Sequence, residues 1–173
     1  MKIFLIRHGE TTSDTEDKYG GVYDDHLTNL GRQQLGVTAD DLVGKEIEII
    51  FTSPLIRAKE SAEIIKLKVG APIEIIDGLQ ERNYGVLSGL TKSEALEKYP
   101  EAVEAHKNPL NTDLEGESYE DFRNRVLNAF QGVIKKDHKT VAIVSHGGPI
   151  KQILIHLGKN IPEKLGDGEI IEI

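Results

Sequence analysis

Residues 1–11 have the sequence MKIFLIRHGET, an apolar, β-branched run that ends abruptly in an arginine, a histidine and a glycine. A run of this kind predicts a buried strand, and α/β folds carry their chemistry at the carboxyl ends of such strands. Residues 140–149, TVAIVSHGGP, show the same pattern. The sequence therefore places two histidines, His8 and His146, at two strand ends.

Strand-like and helical segments alternate along the chain. The strand-like runs are residues 2–6, 47–52, 72–76, 140–144 and 169–173. Between them we predict three helices, whose N-terminal ends are marked by Thr28, Ser53-Pro54 and Ser118. The helix that begins at Ser53-Pro54 should end near Gly70. This alternation predicts one α/β domain over residues 1–173, a three-layer sandwich with a mostly parallel sheet and helices on both faces.

Residues 78–117 interrupt this alternation. They lack a strand signal and are rich in Gly, Asn, Pro, Glu and Lys, with two short helical patches between residues 92 and 107. A long insertion of this kind either covers a site or has no fixed structure. We favour a lid, because the insertion has apolar side chains that can pack, namely Tyr84, Leu87, Leu90 and Leu96.

Composition narrows the classes of function. The net charge of −8 argues against a nucleic-acid-binding protein, which normally presents a basic surface. The chain has no cysteine, which excludes a disulfide framework and fits a reducing compartment. The first apolar run is far too short for a signal peptide or a membrane span. We expect a cytoplasmic monomer or homodimer that binds neither nucleic acid nor membranes.

Arg7 and Arg57 follow strand-like runs, as the two histidines do. A phosphoryl group is a ligand that would require all four side chains. Guanidinium groups bind phosphoryl oxygens bidentately, and a neutral imidazole, with its ordinary pKa of about 6.5, can attack phosphorus near pH 7. The second histidine can then donate to the phosphoryl oxygens. A departing alkoxide needs a proton, and we assign this role to Glu81, which follows the third strand-like run at the base of the lid.

Other interpretations of these residues have less support. A zinc site on His8 and His146 lacks further ligands at a suitable spacing. Residues 90–93, LTKS, are similar to the end of a P-loop but lack its glycines. Gly20 and Gly21 suit either a close backbone approach to a ligand or a simple turn. The remaining histidines are interpreted as structural or solvated: His26, His106, His138 and His156.

Five separated motifs, covering nearly the whole chain, resemble the histidine phosphatase superfamily with its phosphoglycerate mutase-like fold. They are Arg7-His8-Gly9-Glu10-Thr11, Ser53-Pro54-Leu55 with Arg57, Glu81, Gly116-Glu117-Ser118 and Ser145-His146-Gly147. The resemblance implies a six-stranded, mostly parallel sheet and a phosphohistidine at His8. It further implies a phosphate pocket formed by Arg7, Arg57 and His146, with Glu81 as the proton donor. No metal and no cofactor are implied.

Residues 79–94 look much like cofactor-dependent phosphoglycerate mutases, in which the residues matched by Arg82, Tyr84 and Lys92 bind the substrate. The mutases are longer, however. Their paired lid arginines have no counterpart here, and their C-terminal tail is missing or cut short. A mutase must also enclose its intermediate, whereas a phosphatase needs only water at the phosphohistidine. Gly148 is common at its position in the phosphatase branch, where mutases usually carry Asn.

These features favour a metal-independent phosphomonoesterase of the histidine acid phosphatase type, acting on a small phosphorylated metabolite. A cofactor-dependent phosphoglycerate mutase and a non-catalytic sensor of a phosphorylated ligand remain as alternatives. The predicted catalytic residues are Arg7, His8, Arg57, Glu81 and His146. The predicted substrate-binding residues are Arg7, Asp14, Gly20, Gly21, Arg57, Glu81, Arg82, Tyr84, Lys92, His146 and Gly147.

Asp14 departs from the pattern of the family, which usually has an Asn that donates to phosphate at this position. Lys18 and His26 likewise stand where Arg and Pro are frequent. A carboxylate would repel the phosphate unless it turns away, is protonated or pairs with Lys18. We therefore expect a modest phosphate affinity.

Overall fold

The computed structural model describes all 173 residues, which form five strands and seven α-helices. The strands are β1 (Lys2–Arg7), β2 (Ile49–Thr52), β3 (Ile73–Ile75), β4 (Thr140–Ser145) and β5 (Ile170–Glu172). The helices are α1 (Thr12–Thr15), α2 (Asn29–Asp41), α3 (Ile56–Val69), α4 (Lys92–Lys98), α5 (Pro100–His106), α6 (Tyr119–Ile134) and α7 (Gly147–His156). Two 3-10 turns, Asp77–Leu79 and Gly85–Leu87, precede α4. No helix combines the length and the apolar character that crossing a membrane requires.

The strands form one sheet in the order β3-β2-β4-β1-β5. All neighbours are parallel except β5, which runs antiparallel to β1 at the edge. The predicted α/β class and mostly parallel sheet are confirmed, but the sheet has five strands and not six. Arg7 pairs in register with Ser145. The residues that follow these two strands, His8 and His146, therefore emerge side by side.

Apolar helix faces cover both sides of the sheet. Alternate residues of β1 point to opposite faces: Leu5 belongs to the cluster under α6 and α7, and Ile6 to the cluster under α2 and α3. Each fully buried Leu or Ile side chain contributes about 1.5–3 kcal/mol to folding. The strand ends are thus held on a rigid platform.

Capping residues place two of the predicted helices correctly. The hydroxyl of Thr28 caps α2, and that of Ser118 caps α6. Helix α3 ends at Gly70 as predicted, with a φ of 77°. The predicted start of α3 at Ser53-Pro54 was wrong. The helix begins at Ile56, and the hydroxyl of Ser53 forms a hydrogen bond in the site described below.

The insertion packs as a separate layer beside the strand ends. Leu87, Ala95 and Ala102 form a small buried cluster against Tyr84 and other partly buried side chains. The two predicted helical patches are confirmed as α4 and α5. Leu96 was expected to pack there, but its side of α4 faces solvent and it is 59% exposed.

Candidate active site

A cavity of about 490 Å³ lies at the carboxyl ends of β1, β2 and β4, between the sheet and the insertion. Its walls include ten of the predicted site residues: Arg7, His8, Asp14, Gly20, Gly21, Arg57, Glu81, Arg82, Tyr84 and Gly147. His146 is fully buried behind the wall, at the edge of the ring of His8, with 5.0 Å between the ring centroids. The fold therefore gathers these residues in one place.

Arg57 connects the two histidines. Its Nε donates to Nε2 of His8 at 3.3 Å and to Nδ1 of His146 at 3.2 Å. Its other two nitrogens donate to the carboxylate of Asp25 at 2.8 Å and to the carbonyls of Tyr23 and Gly21, each at 2.7 Å. With Asp25 neutralising its charge, this guanidinium can stay buried between two imidazoles.

These hydrogen bonds fix the tautomers of both rings. A guanidinium nitrogen can only donate, so Nε2 of His8 and Nδ1 of His146 must each accept through a lone pair. The other nitrogen of His8, Nδ1, donates to the carbonyl of Gly9 at 2.8 Å. In His146, Nε2 donates to the hydroxyl of Ser53 at 2.7 Å. His8 thus has an unprotonated Nε2 at the cavity, which is the form that a nucleophile requires.

The surroundings keep both imidazoles neutral. Burial, followed by the charge of Arg57, lowers the pKa of His8 to about 3. The same two causes hold the pKa of His146 well below its ordinary value. Asp25 shows the opposite balance: burial alone would raise its pKa, but the charge of Arg57 and hydrogen bonds outweigh burial and lower it. At neutral pH the site therefore contains neutral imidazoles beside a charged arginine–aspartate pair.

Two backbone N–H groups hold the carboxylate of Glu81. Oε1 accepts from the N–H of Arg82 at 2.8 Å, and Oε2 accepts from the N–H of Gly148 at 3.0 Å. A Cβ on Gly148 would overlap Oε1 of Glu81 and come within 3.0 Å of the ring of Phe122. Glycine at position 148 is therefore required for the close approach of this carboxylate.

The C-terminal loop balances the charge of Arg7. Its guanidinium donates to the carbonyl of Leu165 at 2.6 Å and lies 3.1 Å from the carboxylate of Asp167. Burial raises the pKa of Asp167 despite the nearby arginine. Nε of Arg7 is buried and has no partner in the protein.

Asp14 lines the cavity, but its carboxylate is already bonded. It accepts from the backbone N–H and the hydroxyl of Thr11, both at 2.8 Å, and so completes a capping box at α1. Lys18 does not pair with it, because Lys18 bonds to Glu16. Gly21 has a φ of 53°, and a Cβ there would lie 2.8 Å from the ring of Tyr84.

The insertion uses its polar residues differently from the sequence-based expectation. The guanidinium of Arg82 donates hydrogen bonds to three backbone carbonyls of the insertion, those of Glu117, Pro109 and Asn111. Lys92 lies outside the cavity and bonds to Asp17 at 2.5 Å, so the structure does not bring it to the other site residues. Tyr84 does line the cavity. The negative charge of Glu81, and then burial, raise its pKa, so its hydroxyl stays protonated.

Sequence patterns missed three contributors to the cavity and its support: Asp25, His106 and Asp113. Asp25, in a loop without a motif, is the buried partner of Arg57. His106 lines the cavity with its Nδ1 bonded to Asp113, although it was interpreted as structural or solvated. No local spacing marks these residues, because their contacts arise from chain segments that are brought together only by folding.

Comparisons with known proteins identify the family of this chain. The family model described as histidine phosphatase superfamily (branch 1) matches residues 3–170. Among curated proteins, a 2,3-bisphosphoglycerate-dependent phosphoglycerate mutase of Cytophaga hutchinsonii is 34% identical over 170 residues, which cover 94% of this chain and 80% of the mutase. A metal-independent phosphoserine phosphatase of Arabidopsis thaliana is 36% identical over 165 residues, covering 90% and 68% of the two chains.

Among solved structures, Bacillus stearothermophilus YhfR superimposes with a TM-score of 0.90 at 29% identity, covering 99% of this chain and 90% of that protein. The similarity extends over almost the whole chain in sequence and in fold. The chain accordingly belongs to branch 1 of the histidine phosphatase superfamily.

Proposed function

We propose that the protein is a metal-independent phosphomonoesterase that transfers the phosphoryl group of a small metabolite to His8 and then to water. The unprotonated Nε2 of His8 is the main support for this proposal. The hydrogen bond from Nδ1 to the carbonyl of Gly9 and the hydrogen bond that Nε2 accepts from Arg57 fix this tautomer at the cavity. Its neighbours supply the other parts of the reaction: Arg7 and Arg57 for charge, and Glu81 for the proton.

In the first step, Nε2 of His8 attacks phosphorus and the bond from phosphorus to the ester oxygen breaks. Glu81, which this step requires in its acid form, gives a proton to that oxygen, which leaves as an alcohol. In the second step, water attacks phosphorus and loses a proton to Glu81, and the bond from phosphorus to Nε2 breaks. Inorganic phosphate is released, and His8 and Glu81 return to their starting states.

Arg57 can stabilise the phosphoryl group without any large movement. Its Nε–H is shared between Nε2 of His8 and Nδ1 of His146. Once Nε2 is bonded to phosphorus, it can no longer accept this hydrogen bond, so a phosphoryl oxygen can take its place beside Nδ1 of His146 as an acceptor of the N–H. The charge stabilisation that the reaction requires can therefore come from fixed guanidinium groups.

The similarity to a phosphoglycerate mutase makes mutase activity the second candidate. Two residues that favoured it on sequence do not support it in the fold. The guanidinium of Arg82 is bonded to backbone carbonyls, and Lys92 lies outside the cavity. Neither is placed to hold a phosphoglycerate, so we favour hydrolysis. The cytoplasmic location and the choice between monomer and homodimer stay predictions.

Phosphate release from a panel of phosphomonoesters, measured in the presence of EDTA, tests the proposal. We expect turnover that EDTA does not abolish. Glu81→Gln should slow an alkyl phosphate at least tenfold more than p-nitrophenyl phosphate, because nitrophenolate leaves without a proton. Transfer between the hydroxyls of phosphoglycerate that depends on bisphosphoglycerate would instead indicate a mutase. Tight phosphate binding without any turnover would indicate a sensor.

A further inference from the structure

His106 and Asp113 form a dyad on the wall of the cavity that the insertion contributes. Nδ1 of His106 lies 3.0 Å from each carboxylate oxygen of Asp113, whose side chain is 2% exposed. A buried carboxylate of this kind accepts, so Nδ1 is the donor and Nε2 is the nitrogen left over. Nε2 has no partner in the protein and is not enclosed.

The dyad lies on the same wall as the proposed proton donor. The ring of His106 contacts the edge of Tyr84 with 4.6 Å between centroids, and Tyr19 contacts it with 5.2 Å. Tyr84 in turn lies close enough to Glu81 for the charge of that carboxylate to raise its pKa. The departing alcohol takes its proton from Glu81, so it must lie near this wall.

Resting on the proposed function, we infer that His106 is a specificity-determining residue whose Nε2 hydrogen-bonds a second hydroxyl group on the alcohol part of the substrate. The favoured substrates are then phosphate monoesters of polyhydroxy alcohols. A hydroxyl suits this position because it can donate to a bare Nε2 and accept from a protonated one. A carboxylate suits it poorly, because the dyad with Asp113 carries no net positive charge in either state of the ring.

Two substitutions separate this role from a purely structural one. In His106→Asn, the amide takes about the place of Nδ1, so the bond to Asp113 can persist while the nitrogen at the cavity is lost. In His106→Gln, the longer side chain brings its amide to about the place of Nε2 and gives up the bond to Asp113. A structural role predicts that Asn is the better substitute. Our inference predicts that Gln better preserves the preference for substrates with a second hydroxyl group.

The readout is the ratio of kcat/KM for glycerol 1-phosphate to kcat/KM for n-propyl phosphate, which differ only in hydroxyl groups. We expect His106→Asn to lower this ratio about five- to tenfold, the effect of one lost hydrogen bond, and His106→Gln to retain most of it. His138→Asn is the matched control, because His138 also bonds a carboxylate through Nδ1, that of Glu48, but lies outside the cavity. It should leave the ratio unchanged.

Equal losses for both esters in His106→Asn, or a ratio near one in the unaltered protein, would overturn the inference. Thermal unfolding of each variant shows that it is folded. The ratio of the dissociation constants of the two esters is also measured by calorimetry, with and without His106→Asn, in a His8→Asn background that does not turn the esters over. A protein that hydrolyses neither ester would overturn the proposed function, whereas the binding ratio still decides the role of His106.

Discussion

Breaking the ion pair between Arg57 and Asp25 from one side should be among the most destabilising single substitutions in this protein. The two side chains are 2.8 Å apart and only 4% and 1% exposed. Arg57→Met removes the guanidinium and leaves the carboxylate buried without its cation, which costs about 3–5 kcal/mol. At about 2–4 °C per kcal/mol for a domain of this size, the melting temperature should fall by about 6–20 °C.

A double-mutant cycle measured by urea denaturation isolates the pair. Asp25→Asn alone should cost less, about 1–3 kcal/mol, because Arg57 keeps two carbonyl acceptors. The double variant should be more stable than the sum of the single losses by about 1–3 kcal/mol. Lys68→Met is the control, because Lys68 forms an exposed pair with Asp40 and should cost less than about 1 kcal/mol. Additive losses, or a loss in Arg57→Met no larger than in this control, would refute the reasoning.

Three further outcomes follow from the site. Gly148→Ala should displace the carboxylate of Glu81 and lower kcat for an alkyl phosphate about a hundredfold in steady-state kinetics. His8→Asn should flatten the decline of unfolding free energy with falling pH. The pKa of His8 is about 3 when folded and about 6.5 when unfolded, so between these values the unfolded chain binds the extra proton and stability falls by about 1.4 kcal/mol per pH unit. Lys92→Gln should leave kcat/KM unchanged within about twofold, because Lys92 pairs only with Asp17.

For each of these three predictions, a specific result would contradict it. Gly132→Ala is the control for Gly148→Ala, because Gly132 lies in α6 outside the cavity and a Cβ there meets open space. Similar kcat values for the two alanine variants would show that the close approach of Glu81 does not matter. Chemical denaturation between pH 6 and 4.5 should give different slopes for His8→Asn and the unaltered protein; equal slopes would mean that His8 is not held neutral by the fold. A tenfold loss in Lys92→Gln would place Lys92 at the substrate.

The parts of the site that lie on the sheet were predictable because strand ends are local features of sequence. An apolar run that stops at a histidine marks the end of a parallel strand, and parallel neighbours end at one edge of the sheet. His8 and His146 therefore meet wherever two such strands pair. The caps at Thr28 and Ser118 are equally local, since each hydroxyl bonds an N–H three residues ahead.

The parts that depend on distant contacts were not predictable. Ser53 precedes a proline as a capping residue would, but its hydroxyl bonds His146, which lies 93 positions away. Arg82 matches a substrate-binding position, yet the backbone carbonyls of the insertion take its donors. His106 has no motif around it, and only the packing of the insertion against Tyr84 brings it to the cavity.

The covalent intermediate on His8 is the central claim, and rapid quenching into alkali tests it most directly. The protein is mixed with a phosphorus-32-labelled phosphomonoester, quenched within milliseconds, and digested to locate the label. We expect acid-labile label on the peptide that contains His8, at the same level in His138→Asn and absent in His8→Asn. Label that persists in His8→Asn, or phosphate release in a burst without any labelled protein, would contradict the account.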